Sequence, residues 1–187
     1  YLIRVDAYKI GNSEPAPKFM IISGPNEKTE IVSEKKKEDN ERHNIHLKFW
    51  QTLIEKCKKK TTLHSNVKPS KYHYIIAGAG VSGLSFAYVI KNKLGSIELY
   101  IDRNKSKEEN KRIFKKLYSH KKEIENIFGS PLDWQILESK RASRIEKTYE
   151  YAGLHDIKKW DQLQNDMIDG MIRLERALKK YIVDLKL

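Results

Sequence analysis

Between Leu84 and Ile90 the chain alternates large and small side chains: Leu84, Phe86, Tyr88 and Ile90 interleave with Ser85, Ala87 and Val89. A period of two is the repeat of a strand that buries one face. The aromatic and β-branched residues in it favour the same conformation. In this reading "KNKLGS" is a hairpin turn, Ile97, Leu99 and Ile101 mark the next strand, and the apolar run from Tyr74 to Ala77 marks the preceding one. Three antiparallel strands follow one another, and the glycines become turn and bulge residues. The stretch also supports a second reading. Gly78, Gly80 and Gly83 have the spacing G-x-G-x-x-G, and Asp102 stands where an acid meets a ribose in dinucleotide-binding units. A helix would then open at Gly83 and hold a pyrophosphate at its N-terminus. Local pattern leaves both readings open.

The rest of the chain divides in three. Residues 1–23 hold two strand-like runs, "YLIRVDAYKI" and "APKFMIIS", joined by the turn "GNSEPAP". Two strands alone do not make a stable unit in water, so they are read as strands left from an upstream module. Residues 24–42 are polar and of mixed charge, and are read as a charged linker. Residues 43–187 are read as a single domain. Leu47, Trp50, Leu53, Ile54 and Cys57 share a helical face there. Ser106 to Glu109 form a capping box that opens a helix with the stripe Ile113, Leu117, Ile124 and Phe128, closed by Gly129. Two alternating stretches follow, one around Trp134 and one from Arg144 to Tyr151. A final long helix begins near Asp161, with Gln164 at the capping-box position. Gly170 within it costs about 1 kcal/mol relative to alanine and marks a close contact.

Charge narrows the partners. The net charge is +12, carried by 29 lysines and only 8 arginines against 25 acids. Such a field favours polyanions, although a general lysine excess raises charge without building a site. The single Cys57 excludes an internal disulfide and suits a reducing compartment, so the expected location is the cytoplasm. No run of apolar residues reaches the length of a membrane span.

Several long segments taken in order resemble one family. They run from "FWQTLIEKCKKKTTLHSNVKPSKYHYIIAGAGVSGLSFAYVI" through "ELYIDR", "NKRIFKKLYSHKKEIENIFGSPLDW" and "KRASRI" to "MIDGMIRLERALKKYI". Over about residues 47–183 the chain is similar to the prokaryotic family called domain of unknown function 4268. The resemblance implies no oxidoreductase, and sets the glycine stretch in strands and turns. It also implies a C-terminal position in longer proteins, behind a module similar to PD-(D/E)XK nucleases. The strands of residues 1–23 and the start at Tyr1 fit that arrangement. The resemblance brings no assigned catalytic residues.

The expected fold class is therefore α+β: an antiparallel-rich mixed sheet flanked by helices, in the order α-β-β-β-α-β-β-α. That order is also compatible with a degenerate restriction-endonuclease-like core. Such a nuclease holds its metal with an acid on the second strand and an acid-x-Lys on the third. Here the second strand carries no acid, and Leu99-Tyr100 follows Glu98 where x-Lys would stand. No catalytic residue, metal ligand or cofactor is assigned. His43 and His46 lack further ligands nearby.

Arginine is the scarcer cation, and Arg103, Arg141 and Arg144 fall at strand ends or turns, with Lys140 beside them. One reading pairs these cations with Asp102, Glu138 or Glu146 in salt bridges; in the other the guanidinium fork suits phosphate, and Tyr88, Tyr100 or Trp134 offer rings for stacking. The assigned nucleic-acid-binding set is Arg103, Lys140, Arg141, Arg144, Tyr88 and Trp134. The expected function is a non-catalytic, nucleic-acid-binding accessory domain of a nuclease-like protein, with weak, non-specific binding of DNA or RNA and the upstream module as partner. The alternatives are a protein-interaction or homodimerisation domain using the final helix, and a nucleotide site at Gly78–Gly83.

Overall fold

The computed structural model describes residues 2–23, 27–103 and 106–185. The chain forms two compact units, residues 1–42 and 43–187. In the first, β1 (Leu2–Tyr8) and β2 (Ala16–Ser23) pair antiparallel as a two-stranded ribbon. Ile3, Val5, Phe19 and Ile21 on it are more than half exposed. A helix, α1 (Glu27–Lys60), follows. The stretch read as a linker is helical from residue 27 and runs without a break into residues 43–60; residues 24–26 lie outside the described residues.

The second unit is built on β3 (Tyr74–Gly78), β4 (Leu84–Ile90), β5 (Gly95–Ile101), β6 (Asp133–Ile136) and β7 (Ser143–Tyr149), in the spatial order β3-β4-β5-β7-β6. Every pairing in this sheet is antiparallel. Between β5 and β6 come α2 (Lys107–Tyr118) and α3 (Lys121–Phe128), and α4 (Trp160–Val183) closes the unit. The unit is α+β with an antiparallel sheet. A restriction-endonuclease-like core finds no support, because β6, the strand after the helices, joins β7 and is separated from β5 by it.

The register explains the alternation in β4. Phe86 lies opposite Leu99, and Leu99 opposite Ile145, so these share one face. All three are buried. The helices pack on this face: Cys57 of α1 meets Tyr88, Phe114 of α2 meets Trp134, and Gly170 of α4 meets Tyr149 and Ile97. Gly170 is the expected close contact, since a β-carbon there would overlap the Tyr149 hydroxyl. Phe49 rather than Leu47 completes the buried stripe of α1, with its ring edge-on to Trp50 and Trp160.

The glycine stretch is a hairpin connection. Ala79 N–H donates to the Leu84 carbonyl at 3.0 Å and Leu84 N–H to the Val81 carbonyl at 3.0 Å. Gly80 and Gly83 have φ of 84° and 82°, the left-handed region that L side chains avoid. Gly83 also has no room for a β-carbon, because the Arg103 backbone lies against it. No helix opens at Gly83, so the pyrophosphate-cradle reading of Gly78–Gly83 is not realised.

Two helix details differ from the sequence reading. The stripe Ile113, Leu117, Ile124 and Phe128 is buried as expected, but belongs to two helices. Ser119 ends α2, its hydroxyl donating to the Lys116 carbonyl at 2.8 Å. Ser106 caps α2 as foreseen, accepting from Glu109 N–H at 3.0 Å. Gln164 is not a capping residue: it is buried, and its amide donates to the Phe49 carbonyl and the Thr52 hydroxyl. No described helix is long and apolar enough to cross a membrane.

Candidate functional site

The sheet face turned away from the helices carries the small half of the β4 alternation. Ser85, Ala87 and Val89 project there, and small side chains in the middle of a sheet leave space above it. The neighbouring rows, read from the register, bring Glu98 and Tyr100 of β5 and Arg144 and Glu146 of β7 to the same face. The result is a groove of about 490 Å³, within the range of small-ligand sites. One wall is the β3 edge, with His73, Tyr74 and Ile76; the other is the connection between β6 and β7, with Leu137 and Lys140. Lys91 stands at the end of β4 on the same side.

The floor is ionic. Glu98 lies directly opposite Glu146, and like charges so placed repel. Arg144 offsets this: Nη1 lies 3.4 Å from Glu98 Oε2, Nη2 lies 3.2 Å from Glu146 Oε2, and Nε donates to Gln135 Oε1 at 2.7 Å. Burial, and then the Glu146 charge, push the Glu98 carboxyl above its usual range, against the opposing pull of Arg144. Burial, and then Asp102 and Glu98, raise the Tyr100 phenol, which stays a hydrogen-bond donor at neutral pH. Burial, and then Lys91 and Lys140, lower His73, so its ring is neutral at pH 7. Lys91 and Lys140 themselves have no ion pair among the described residues.

The six residues selected from the sequence are scattered. Lys140 and Arg144 line the groove. Arg103 is mostly buried beside Glu109, at 3.4 Å. Arg141 is clamped by Asp102 through two contacts, at 2.7 and 3.2 Å. Trp134 packs against Phe114 and Tyr118, and its indole N–H donates to Glu125 Oε1 at 3.1 Å. Tyr88 is fully buried on the helix side, with the Cys57 thiol 3.6 Å from its hydroxyl and the His64 ring 4.6 Å from its own. Burial raises the Cys57 thiol and holds His64 at about 4, so both are neutral at pH 7 and form no thiolate–imidazolium pair. Among the described residues no three His, Cys, Asp or Glu side chains come together to hold a metal ion.

Residues 45–182 match the family described as Domain of unknown function (DUF4268). The chain belongs to this family. No curated protein and no solved structure matches it. The DUF4268 match takes in the whole sheet and the groove on it. Sequence reasoning passed over Lys91 and His73 of this DUF4268 groove. Lys91 carried a signal, since it continues the series 85, 87, 89. His73 lies before its strand and carried none.

Proposed function

We propose that residues 43–187 form a non-catalytic nucleic-acid-binding accessory domain that holds a single strand in the sheet groove. The observation that carries this is the groove itself: an antiparallel sheet face lined by the Tyr74 and Tyr100 rings and by two lysines, Lys91 and Lys140, that form no ion pair among the described residues. Aromatic rings on a sheet bind unstacked bases and flanking cations bind the backbone. The field agrees, because residues 43–187 contain 29 Lys and Arg against 17 Asp and Glu, whereas residues 1–42 balance at eight and eight. Of the arginines, Arg144 serves the groove floor, and Arg103 and Arg141 are held by acids. In the longer proteins implied by the family resemblance, this domain would present a strand to the nuclease-like module.

The test is fluorescence anisotropy with a labelled single-stranded 12-mer over a salt series. The expected result is weak binding that falls steeply with salt. Lys91→Ala with Lys140→Ala should flatten the log–log slope by about 1.4, or about 0.7 per lost contact on a single strand. Absence of binding at low salt would overturn the reading and favour an interaction domain. An unchanged slope in the double variant would move the site away from the groove.

A further inference from the structure

Glu98 is expensive where it stands. Its side chain is 9 % exposed, it lies opposite a second carboxylate, and its pairing with Arg144 is long at 3.4 Å. A residue that opposes folding in this way, at the floor of an open groove, has its use in what the groove holds. Resting on the nucleic-acid reading of the same groove, we propose that Glu98 and Arg144 read a guanine base. The carboxylate presents two acceptors side by side. The guanidinium has five N–H groups; one each goes to Gln135, Glu98 and Glu146, so one on each terminal nitrogen has no partner among the described residues. The floor therefore offers acceptor, acceptor, donor.

The guanine Watson–Crick edge supplies the complement: the N2 amino group and N1–H donate, and O6 accepts. The other bases do not. Adenine and cytosine each bring one amino donor next to a bare ring nitrogen, whose lone pair would face the second carboxylate oxygen. Uracil and thymine have one N–H between two carbonyls: with the N–H on one carboxylate oxygen and one carbonyl on the Arg144 donor, the other carbonyl faces the second carboxylate oxygen. Buried acceptors left unpaired in this way are what give polar sites their discrimination. Tyr74 and Tyr100 line the same groove and supply ring faces to the bound base.

The experiment uses the full chain and a labelled oligothymidylate 12-mer with one central guanine, compared with the same oligomer carrying hypoxanthine. Hypoxanthine keeps N1–H and O6 and lacks only the N2 amino group, so the comparison perturbs the ligand and needs no variant. The expected result is about tenfold tighter binding of the guanine oligomer. Glu98→Gln, with its melting transition checked, should bring the ratio close to one, because an amide replaces one acceptor by a donor. Equal binding of the two oligomers by the unmodified chain overturns the inference and leaves strand binding standing. No binding of either overturns both. Free guanosine monophosphate is added as competitor: a strong effect at the oligomer's own concentration supports guanine recognition but assigns the groove to a free nucleotide, and a weak one assigns it to the strand.

Discussion

His64 makes the fold sensitive to acid in a way that can be calculated. The side chain is fully buried, its Nε2 lies 3.2 Å from the Phe86 carbonyl, and its Nδ1 has no partner among the described residues. The contact with a carbonyl requires the hydrogen on Nε2, so Nδ1 is a bare lone pair with nothing to stabilise a second proton. Burial holds the native imidazole at about 4, against 6.5 when unfolded. Between these values the unfolded chain binds the proton and the native chain does not. Stability is therefore complete above pH 6.5 and declines as pH falls towards 4, by about 3 kcal/mol in all. Carboxylates contribute to acid unfolding as well, so the contribution of His64 is read as a difference. His64→Gln keeps an amide donor for the Phe86 carbonyl and removes the titration. It should be less stable than the parent at pH 7.5, and that gap should shrink by about 2.5 kcal/mol by pH 4.5. Urea titrations followed by tryptophan fluorescence measure it, since Trp50 and Trp160 are buried and report the core. Parallel stability profiles for parent and variant, or a native imidazole that titrates by NMR near 6.5, would refute the argument.

Gly83→Ala places a β-carbon against the Arg103 backbone at a φ of 82°, and should cost about 2–4 kcal/mol in chemical denaturation. Gly170→Ala pushes the Tyr149 hydroxyl off the Asp166 carbonyl, which it meets at 3.0 Å. Its loss should exceed the propensity gain, and combining it with Tyr149→Phe should recover at least about 1 kcal/mol relative to additivity in a double-mutant cycle. Arg141→Ala removes only a half-exposed ion pair with Asp102, and should change the unfolding free energy by less than about 1 kcal/mol. The same change should weaken oligonucleotide binding less than Lys140→Ala does in the salt series.

The period-two run from Leu84 to Ile90 disclosed the strand, both of its faces and, through the short turn after it, the partner strand β5. It therefore disclosed the groove's floor on β4. Glu146, two residues from Arg144, was legible as an ion-pair partner, and Glu98 was not, because only the pairing of β5 with β7 sets Glu98 opposite Glu146 and Arg144 between them. The scarcity of arginine selected Arg103, Arg141 and Arg144 alike; the acid at 102 that holds Arg141 was a named candidate partner, whereas Glu109, which holds Arg103, reaches it only once α2 has docked. The break at Ser119 escaped a periodicity argument because α2 and α3 continue one apolar stripe across it. Gln164 was misjudged for a similar reason: its position fitted a cap, and its actual partners, Phe49 and Thr52, lie more than a hundred residues earlier in the chain.

The alternation in β4 also separates two kinds of evolutionary freedom. Leu84, Phe86, Tyr88 and Ile90 are locked to the helices, and a change in any of them is paid in folding stability. Ser85, Ala87 and Val89 only set how much room lies above the sheet. A lineage can enlarge or fill that room, one small side chain at a time, without disturbing a core that begins one residue away. Divergence of ligand and retention of scaffold are thus compatible within a single seven-residue strand.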